Sequence, residues 1–285
     1  MRKISYSQFS TWSKCPHQWK LKYVDKQRPF ESTIDTVFGT SIHEAIQEWL
    51  KLRTLEWTID TDVVIQTFKT RFIANFKKES QIDPITTKPI FVCDQLTFES
   101  YYKNGVDILT STLNQKDIYF PPTYELVGIE IELTTQFTDH LAFTGFIDIV
   151  LFNPELDEYI IIDLKTSNKG WGYYQKKDTI KLNQILLYKK HYSDQFGVPL
   201  KNIRVEFIIL TRNPTSDDRL ERFIPSHNKK AVEYADAQFR YFLDTTFAQD
   251  GTVKIGNLPP TPSKSSCKFC PFVSMTDLCT VGIAS

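Results

Sequence analysis

Glu125-Leu-Val-Gly-Ile-Glu-Ile-Glu-Leu133, Leu141-Ala-Phe-Thr-Gly-Phe-Ile-Asp-Ile-Val-Leu-Phe152 and Glu158-Tyr-Ile-Ile-Ile-Asp-Leu-Lys-Thr166 are three neighbouring apolar runs of strand character. Turn-prone residues separate them: Thr138-Asp139-His140, then Asn153-Pro154-Glu155-Leu156-Asp157. Each run carries an acid among apolar residues. In an antiparallel hairpin, residues equidistant from the turn face each other. Asp139 lies midway between Glu130 and Asp148, and Glu155 lies close to midway between Asp148 and Asp163. The spacing therefore predicts a meander that sets Glu130, Asp148 and Asp163 side by side, with directly opposed Cβ atoms about 4.5–5.5 Å apart. Two like charges about 4 Å apart repel by roughly 4 kcal/mol at an effective dielectric near 20. Three such acids in an apolar sheet call for a cation or a proton.

Working outward, 285 residues are ample for one elaborated domain or two closely packed ones. Lys plus Arg and Asp plus Glu are 34 each, so no global field draws the chain to a polyanion or a membrane surface. Any nucleic-acid contact has to come from a local groove. Met1-Arg2-Lys3-Ile4-Ser5-Tyr6 lacks the apolar stretch of a signal peptide, and runs such as Tyr159 to Ile162 are too short to span a bilayer. The expectation is a cytoplasmic protein without a membrane span. Five cysteines are too few, and odd in number, for a disulfide framework.

Aromatics at helical intervals (Tyr6, Phe9, Trp12, Trp19, Tyr23) predict helix over 5–24. Ser41 and Glu44 have capping-box spacing, which predicts a helix beginning near Gly39 to Ser41 with a stripe of Ile42, Ala45, Ile46, Trp49 and Leu50. Further helices are expected at about 61–79, 94–115, 178–193 and 228–245, with a strand at about 202–211. A loop holding Pro84 and Pro89 joins the first two of these helices, and the tail from 255 is irregular. The chain divides into a helical region 1–118, a core 119–250 and a cysteine-bearing cap 251–285. No G-x-x-x-x-G-K-[ST] loop is present.

Asp163 and Lys165, two apart on one strand, point to the same face. The pair is either a simple ion pair or part of a larger charged site with Glu130 and Asp148. Glu132 is a rival acid on the face of Glu130, but the register pairs it with Phe146. His43 falls in the first turn of its expected helix, where the helix dipole keeps an imidazole neutral; it is either a ligand or a packed surface residue. Gln184 and Tyr188 are i, i+4 neighbours and share one polar-capable face with His191.

The ordered set Gly39-x3-His43, Glu130, Gly145-x2-Asp148, Asp163-x-Lys165-Thr166 and Gln184-x3-Tyr188 resembles the RecB-like branch of the PD-(D/E)XK nuclease superfamily over residues 39–188. The resemblance implies an α/β, restriction-endonuclease-like fold, a mixed central sheet flanked by helices. It also implies that His43, Asp148, Asp163 and the backbone carbonyl of Leu164 bind Mg²⁺ or Mn²⁺, with Glu130 a further acid. Lys165 would position or activate a water, and Gln184 and Tyr188 would hold the substrate strand. The expected activity is metal-dependent hydrolysis of DNA phosphodiester bonds.

Cys267-x2-Cys270-x8-Cys279 needs a fourth thiolate to close a site, and Cys15, in Cys15-Pro-His-Gln-Trp19, is the best candidate. One upstream and three downstream cysteines resemble the AddB-like and CRISPR-associated RecB-like exonucleases, which implies a [4Fe–4S] cluster; zinc is the rival centre. Its role would be to join the first helix to the tail. Cys93 lies outside the pattern and reads as a buried thiol.

Lys169-Gly-Trp-Gly-Tyr-Tyr-Gln-Lys-Lys177 follows the strand of Asp163. Trp171, Tyr173 and Tyr174 could stack on bases while Lys169, Lys176 and Lys177 meet phosphates, or the segment is a packed aromatic loop. The resemblance favours an exonuclease on single-stranded DNA in recombination, repair or CRISPR adaptation, of prokaryotic or phage origin. It would work alone, as a homo-oligomer or with protein partners. The alternative is a non-catalytic nucleic-acid-binding subunit that keeps the nuclease fold.

Overall fold

The structure, a computed structural model, describes residues 1–27, 33–54, 60–82 and 89–282. Strand β1 (Arg2–Ser5) leads into helices α1 (Tyr6–Lys14) and α2 (Pro16–Trp19), the latter running on into a π-helical turn at Lys20–Val24. Helices α3 (Ile34–Arg53) and α4 (Thr61–Glu79) follow, then the two-residue strands β2 (Gln81–Ile82) and β3 (Pro89–Ile90), and helices α5 (Gln95–Asn114) and α6 (Lys116–Tyr119). The meander is β4 (Glu125–Gln136), β5 (Leu141–Asn153) and β6 (Glu158–Ser167). After it come α7 (Tyr173–Lys176), α8 (Thr179–Phe196), β7 (Ile203–Thr211), β8 (Leu220–Phe223), α9 (Lys229–Thr246) and α10 (Lys264–Cys267). Pro84 lies outside the described residues.

Six strands form one mixed sheet. β4 and β6 run antiparallel to β5, β7 runs parallel to β6, β8 closes antiparallel on β7, and β1 pairs parallel with β5. Strand β1 was not expected from sequence, because four residues with only Ile4 buried show no alternation to read. α8 links the parallel pair β6 and β7 and covers one face together with α1 and α9. α3 and α5 cover the other, and α4 packs on both of these helices. Each face has its own apolar core. Phe143, Ile161, Val205 and Phe207 meet Ile185 and Phe239 on the α8 side, and Ile160, Ile162 and Leu164 meet Phe38, Ile42 and Ile46 on the α3 side. Among the described residues no helix is long and apolar enough to cross a membrane.

Side chains close the helix starts: Ser5, Thr33, Asp60, Asp94, Asp178 and Asn228 each accept from a backbone N–H of the first turn, each worth about 0.5–2 kcal/mol. One expectation is corrected here. α3 begins at Ile34 under a Thr33 cap, so Ser41 lies inside it, donating to the Val37 carbonyl and accepting from Asn75 of α4. The Ser41–Glu44 spacing instead ties α3 to α4, since Asn75 donates to both side chains.

Candidate active site

The strand arithmetic places the acids. Ile129 pairs with Ile149 and Ile131 with Ile147, so Glu130 stands opposite Asp148. On the other side of β5 the ladder with β6 ends at Ile149–Ile162, one step short of Asp148 and Asp163. Beyond that step the Leu164 N–H donates to Asp148 Oδ2 at 2.7 Å. β4 and β6 flank β5 on opposite edges, and β1 shares the edge of β6, pairing only as far as Thr144. Gly145 to Asp148 therefore has no strand neighbour on that edge among the described residues. The sheet forks here, between β1 and β6.

The fork also changes which way side chains face. Ile131 and Ile147 pack toward α8, whereas Ile129 and Ile149 belong to the α3 core. Residues two apart on a regular strand share a face, so both strands switch faces at the pair that carries the acids. Glu130 accommodates the switch in the left-handed region, at φ 49°. That conformation costs a non-glycine residue on the order of 1 kcal/mol or more. The switch lets Glu130 meet α3, where Gln47 Nε2 donates to its Oε1 at 2.6 Å and to the Asp148 carbonyl at 3.2 Å.

His43, one turn before Gln47 on α3, brings Nδ1 to 3.6 Å from Asp148 Oδ2. The helix start makes His43 a mid-helix residue, so the helix dipole is not what keeps it neutral. Burial first, and then the nearby Lys165 charge, lower its pKa to about 4. From the α8 side, Lys165 Nζ reaches Asp163 Oδ2 at 2.7 Å and Gln184 Oε1 at 3.0 Å. Gln184 Nε2 in turn donates to the Tyr188 hydroxyl at 3.2 Å. Gly145 makes room for that tyrosine, since a Cβ there would lie 2.9 Å from Tyr188 Cε1.

Burial sets the charges. It pushes the Asp163 and Asp148 carboxyls up to about 6 each, against the pull of Lys165. Lys165 is itself penalised by burial, but the two aspartates outweigh that and hold it above its ordinary value. Asp163 is only 2% exposed, and its Oδ2, although close to Lys165, has no partner in hydrogen-bond geometry. Among the described residues no group of three or more His, Cys, Asp or Glu side chains is arranged to hold a metal ion. The donor chemistry nevertheless suits one: a buried oxygen with unspent acceptor capacity, a second carboxylate and a neutral imidazole beside a cation.

Several expected site residues stand elsewhere. Glu132 does pair with Phe146, and it bridges to Lys3 on the surface. His191 is in the core, its ring stacked at 4.0 Å on Phe143 with Nδ1 against Thr135 Oγ1. Trp171 has no free stacking face; it is buried against Phe207 and Phe223 with Lys181 over its ring. Lys176 is engaged by Glu221 and lies over Phe223. Tyr173 and Tyr174, by contrast, are 71% and 85% exposed. Gln47 was missed by sequence reading. Its signal was the i, i+4 spacing from His43, which puts both on one face of α3.

Cys15, Cys267, Cys270 and Cys279 line one small cavity between the α1–α2 joint and the tail. Burial, and then the neighbouring thiols of Cys15, Cys279 and Cys267, raise the Cys270 pKa. His17 Nε2 lies 2.9 Å from the Leu278 carbonyl beside them. Cys93 is only partly buried, not the enclosed thiol expected.

His191 gives a test of the core independent of catalysis. Burial lowers its pKa to about 4, and its Nε2 has no partner. A histidine whose folded pKa is depressed contributes stability that is whole above its ordinary value of 6.5 and is lost as pH falls toward 4. In urea titrations, lowering the pH from 7 to 4 is expected to move the stability difference toward His191→Phe by roughly 3 kcal/mol. A difference that does not change with pH would contradict the assignment.

No curated protein sequence matches the chain. Among solved structures, the "Putative exonuclease" of Eubacterium rectale aligns with a TM-score of 0.57 at 11% identity, covering 99% of this chain and 94% of that one; at that identity the likeness is one of fold. SSO0001 (TM-score 0.34, 12% identity, 98% and 97% covered) and VC1899 from Vibrio cholerae (0.23, 10%, 81% and 51%) align too weakly to bear on the argument. The model of the PD-(D/E)XK nuclease superfamily matches residues 3–275. With a match across nearly the whole chain, and with its acids and lysine gathered at the fork of a mixed sheet, the protein belongs to the PD-(D/E)XK nuclease superfamily.

Proposed function

We propose that the chain is a divalent-metal-dependent deoxyribonuclease of the RecB-like branch, hydrolysing phosphodiester bonds from the ends of single strands. The observation that carries this reading is the meeting of Asp148, Asp163, Lys165 and His43 where β5 and β6 part, with the buried Asp163 carboxylate paired to the Lys165 ammonium. Hard oxygen donors favour Mg²⁺ or Mn²⁺. His43, Asp148, Asp163 and the Leu164 carbonyl would hold the ion, with Glu130 as a further acid. Bound there, it would supply an activated water and charge stabilisation at the leaving oxygen. Lys165, kept charged by its two aspartates, would orient that water or a phosphate oxygen. Gln184, anchored by Tyr188, holds the lysine in place.

Tyr173 and Tyr174 support a single-stranded substrate. Both are exposed just beyond β6, near the exposed Lys169 and Lys177, and each stacked base would contribute about 1–3 kcal/mol. The four cysteines around one cavity support a [4Fe–4S] cluster that ties the first helices to the tail, with zinc as the rival. Cys267→Ser is expected to lower the melting temperature and to remove absorbance near about 400 nm while leaving Mn²⁺ binding intact. A colourless wild-type protein with stoichiometric zinc would replace the cluster in this reading.

The function is tested with purified protein and Mg²⁺ or Mn²⁺ on strands labelled separately at each end, as single strand, duplex and RNA. Stepwise shortening of single-stranded DNA that stops with EDTA is the expected result. Tight binding with no cleavage in either metal would favour the non-catalytic subunit instead.

A further inference from the structure

Phe146 is a large aromatic residue in β5, the strand paired with β1, β4 and β6, yet it is 49% exposed. Its neighbours explain which way it points. A Cβ on Gly145 would meet Tyr188 of α8, and Ile147 packs into the α8-side core. Phe146, between them, faces the opposite side of the sheet. That is the α3 side, but α3 does not cover it there. Directly across on β4 stands Glu132, itself exposed and turned to Lys3.

Its position along the strand gives the exposure meaning. Phe146 lies within Gly145 to Asp148, the stretch of β5 that pairs with β4 but has no described strand on the β1 and β6 edge, where the sheet forks. It is two residues from Asp148, roughly 6.6 Å along the strand. The ring stacks on no other aromatic ring among the described residues, and about half of the residue is open to solvent. An open ring at that distance from the acids is suited to a flat, apolar partner held beside the reacting phosphate. In a nucleic acid that partner is the base.

We infer that Phe146 is a positioning residue of the proposed nuclease site: its ring stacks on the nucleobase adjoining the scissile phosphate and holds a single strand in the fork. The inference rests on the proposed function and deepens it by naming the substrate contact. Stacking favours an unpaired base, since a base within a duplex already has its faces covered by its neighbours. It is indifferent to base identity, because every base offers a π-face.

The test compares wild type, Phe146→Ala and Phe146→Trp on end-labelled single strands in Mn²⁺, with either a normal or an abasic nucleotide beside the cleaved bond. On the normal strand Phe146→Ala is expected to lower kcat/KM by about 5- to 150-fold, the span of one lost base stack, and Phe146→Trp to retain activity. The abasic nucleotide should slow wild type by a similar factor and leave Phe146→Ala no slower than before, the coupling expected of two groups in contact. Equal sensitivity of both proteins to the abasic nucleotide would overturn the role of Phe146, with cleavage itself intact. No cleavage of any strand by wild type would overturn the nuclease reading beneath it. Merely misfolded Phe146→Ala would slow both strands alike and so counts against the inference.

Discussion

Asp163→Asn is expected to abolish metal-dependent cleavage, by at least about 10³-fold, while leaving the protein folded and no less stable than metal-free wild type. The two halves have one cause. Asp163 is almost wholly buried, and burial pushes its carboxyl up to about 6. A carboxyl whose folded pKa is raised contributes stability below its ordinary value of 3.8, lost as pH rises through about 6. At neutral pH, therefore, the ionised form is a burden on the metal-free fold, of roughly 3 kcal/mol at most. Asparagine keeps the shape and removes the charge, and with it the capacity to attract a cation. Thermal melts at pH 7.5 with and without Mn²⁺ separate the effects. Mn²⁺ should raise the melting temperature of wild type, and that of the variant should not respond. Undiminished cutting by purified Asp163→Asn would remove this residue from the mechanism.

Lys165→Met should lose cleavage by about 10²–10⁴-fold for the opposite electrostatic reason. The ammonium sits 2.7 Å from Asp163 and competes with any metal for that carboxylate. Removing it costs the group proposed to orient a water or phosphate but leaves the acids in place. Metal binding should therefore survive and tighten. Gln184 Oε1 also loses its lysine donor while Nε2 keeps Tyr188, so the substrate side of the site loosens without disturbing the acids. The two substitutions thus have opposite signatures, one silencing both binding and cleavage and the other cleavage alone. A Lys165→Met protein that lost Mn²⁺ affinity would show the lysine to be structural to the acid cluster.

The meander was legible because its hairpins are nearly regular. Turn centres at Asp139 and near Glu155 give the observed registers from Gly128 to Gln136 and from Ile149 to Asn153. What turn arithmetic does not contain is the switch of faces at Glu130 and Asp148. It depends on a left-handed glutamate, which strand propensity gives no reason to expect. That switch puts His43 and Gln47 from α3 into the same site as Lys165 from the α8 side. His43 was identified through the family pattern, and the explanation first offered for its neutrality was wrong. Its helix begins at Ile34, so desolvation and Lys165, and not a helix end, lower its pKa. Ser41 misled because its capping-box spacing also suits a tie to Asn75 across two helices. For Trp171 the sequence left base stacking and a packed aromatic loop open, and the indole packs over Phe207. Phe146 looked like another apolar strand residue. Its exposure and the open β1 and β6 edge of β5 at that point distinguish it.

Calorimetric titration of Mn²⁺ into purified wild type, Asp148→Asn and Asp163→Asn, with circular dichroism to confirm equal folding, tests the central claim most directly. Saturable binding by wild type that both substitutions abolish is the expected result. Equal Mn²⁺ affinity in all three proteins would contradict a metal-centred site at the fork between β5 and β6.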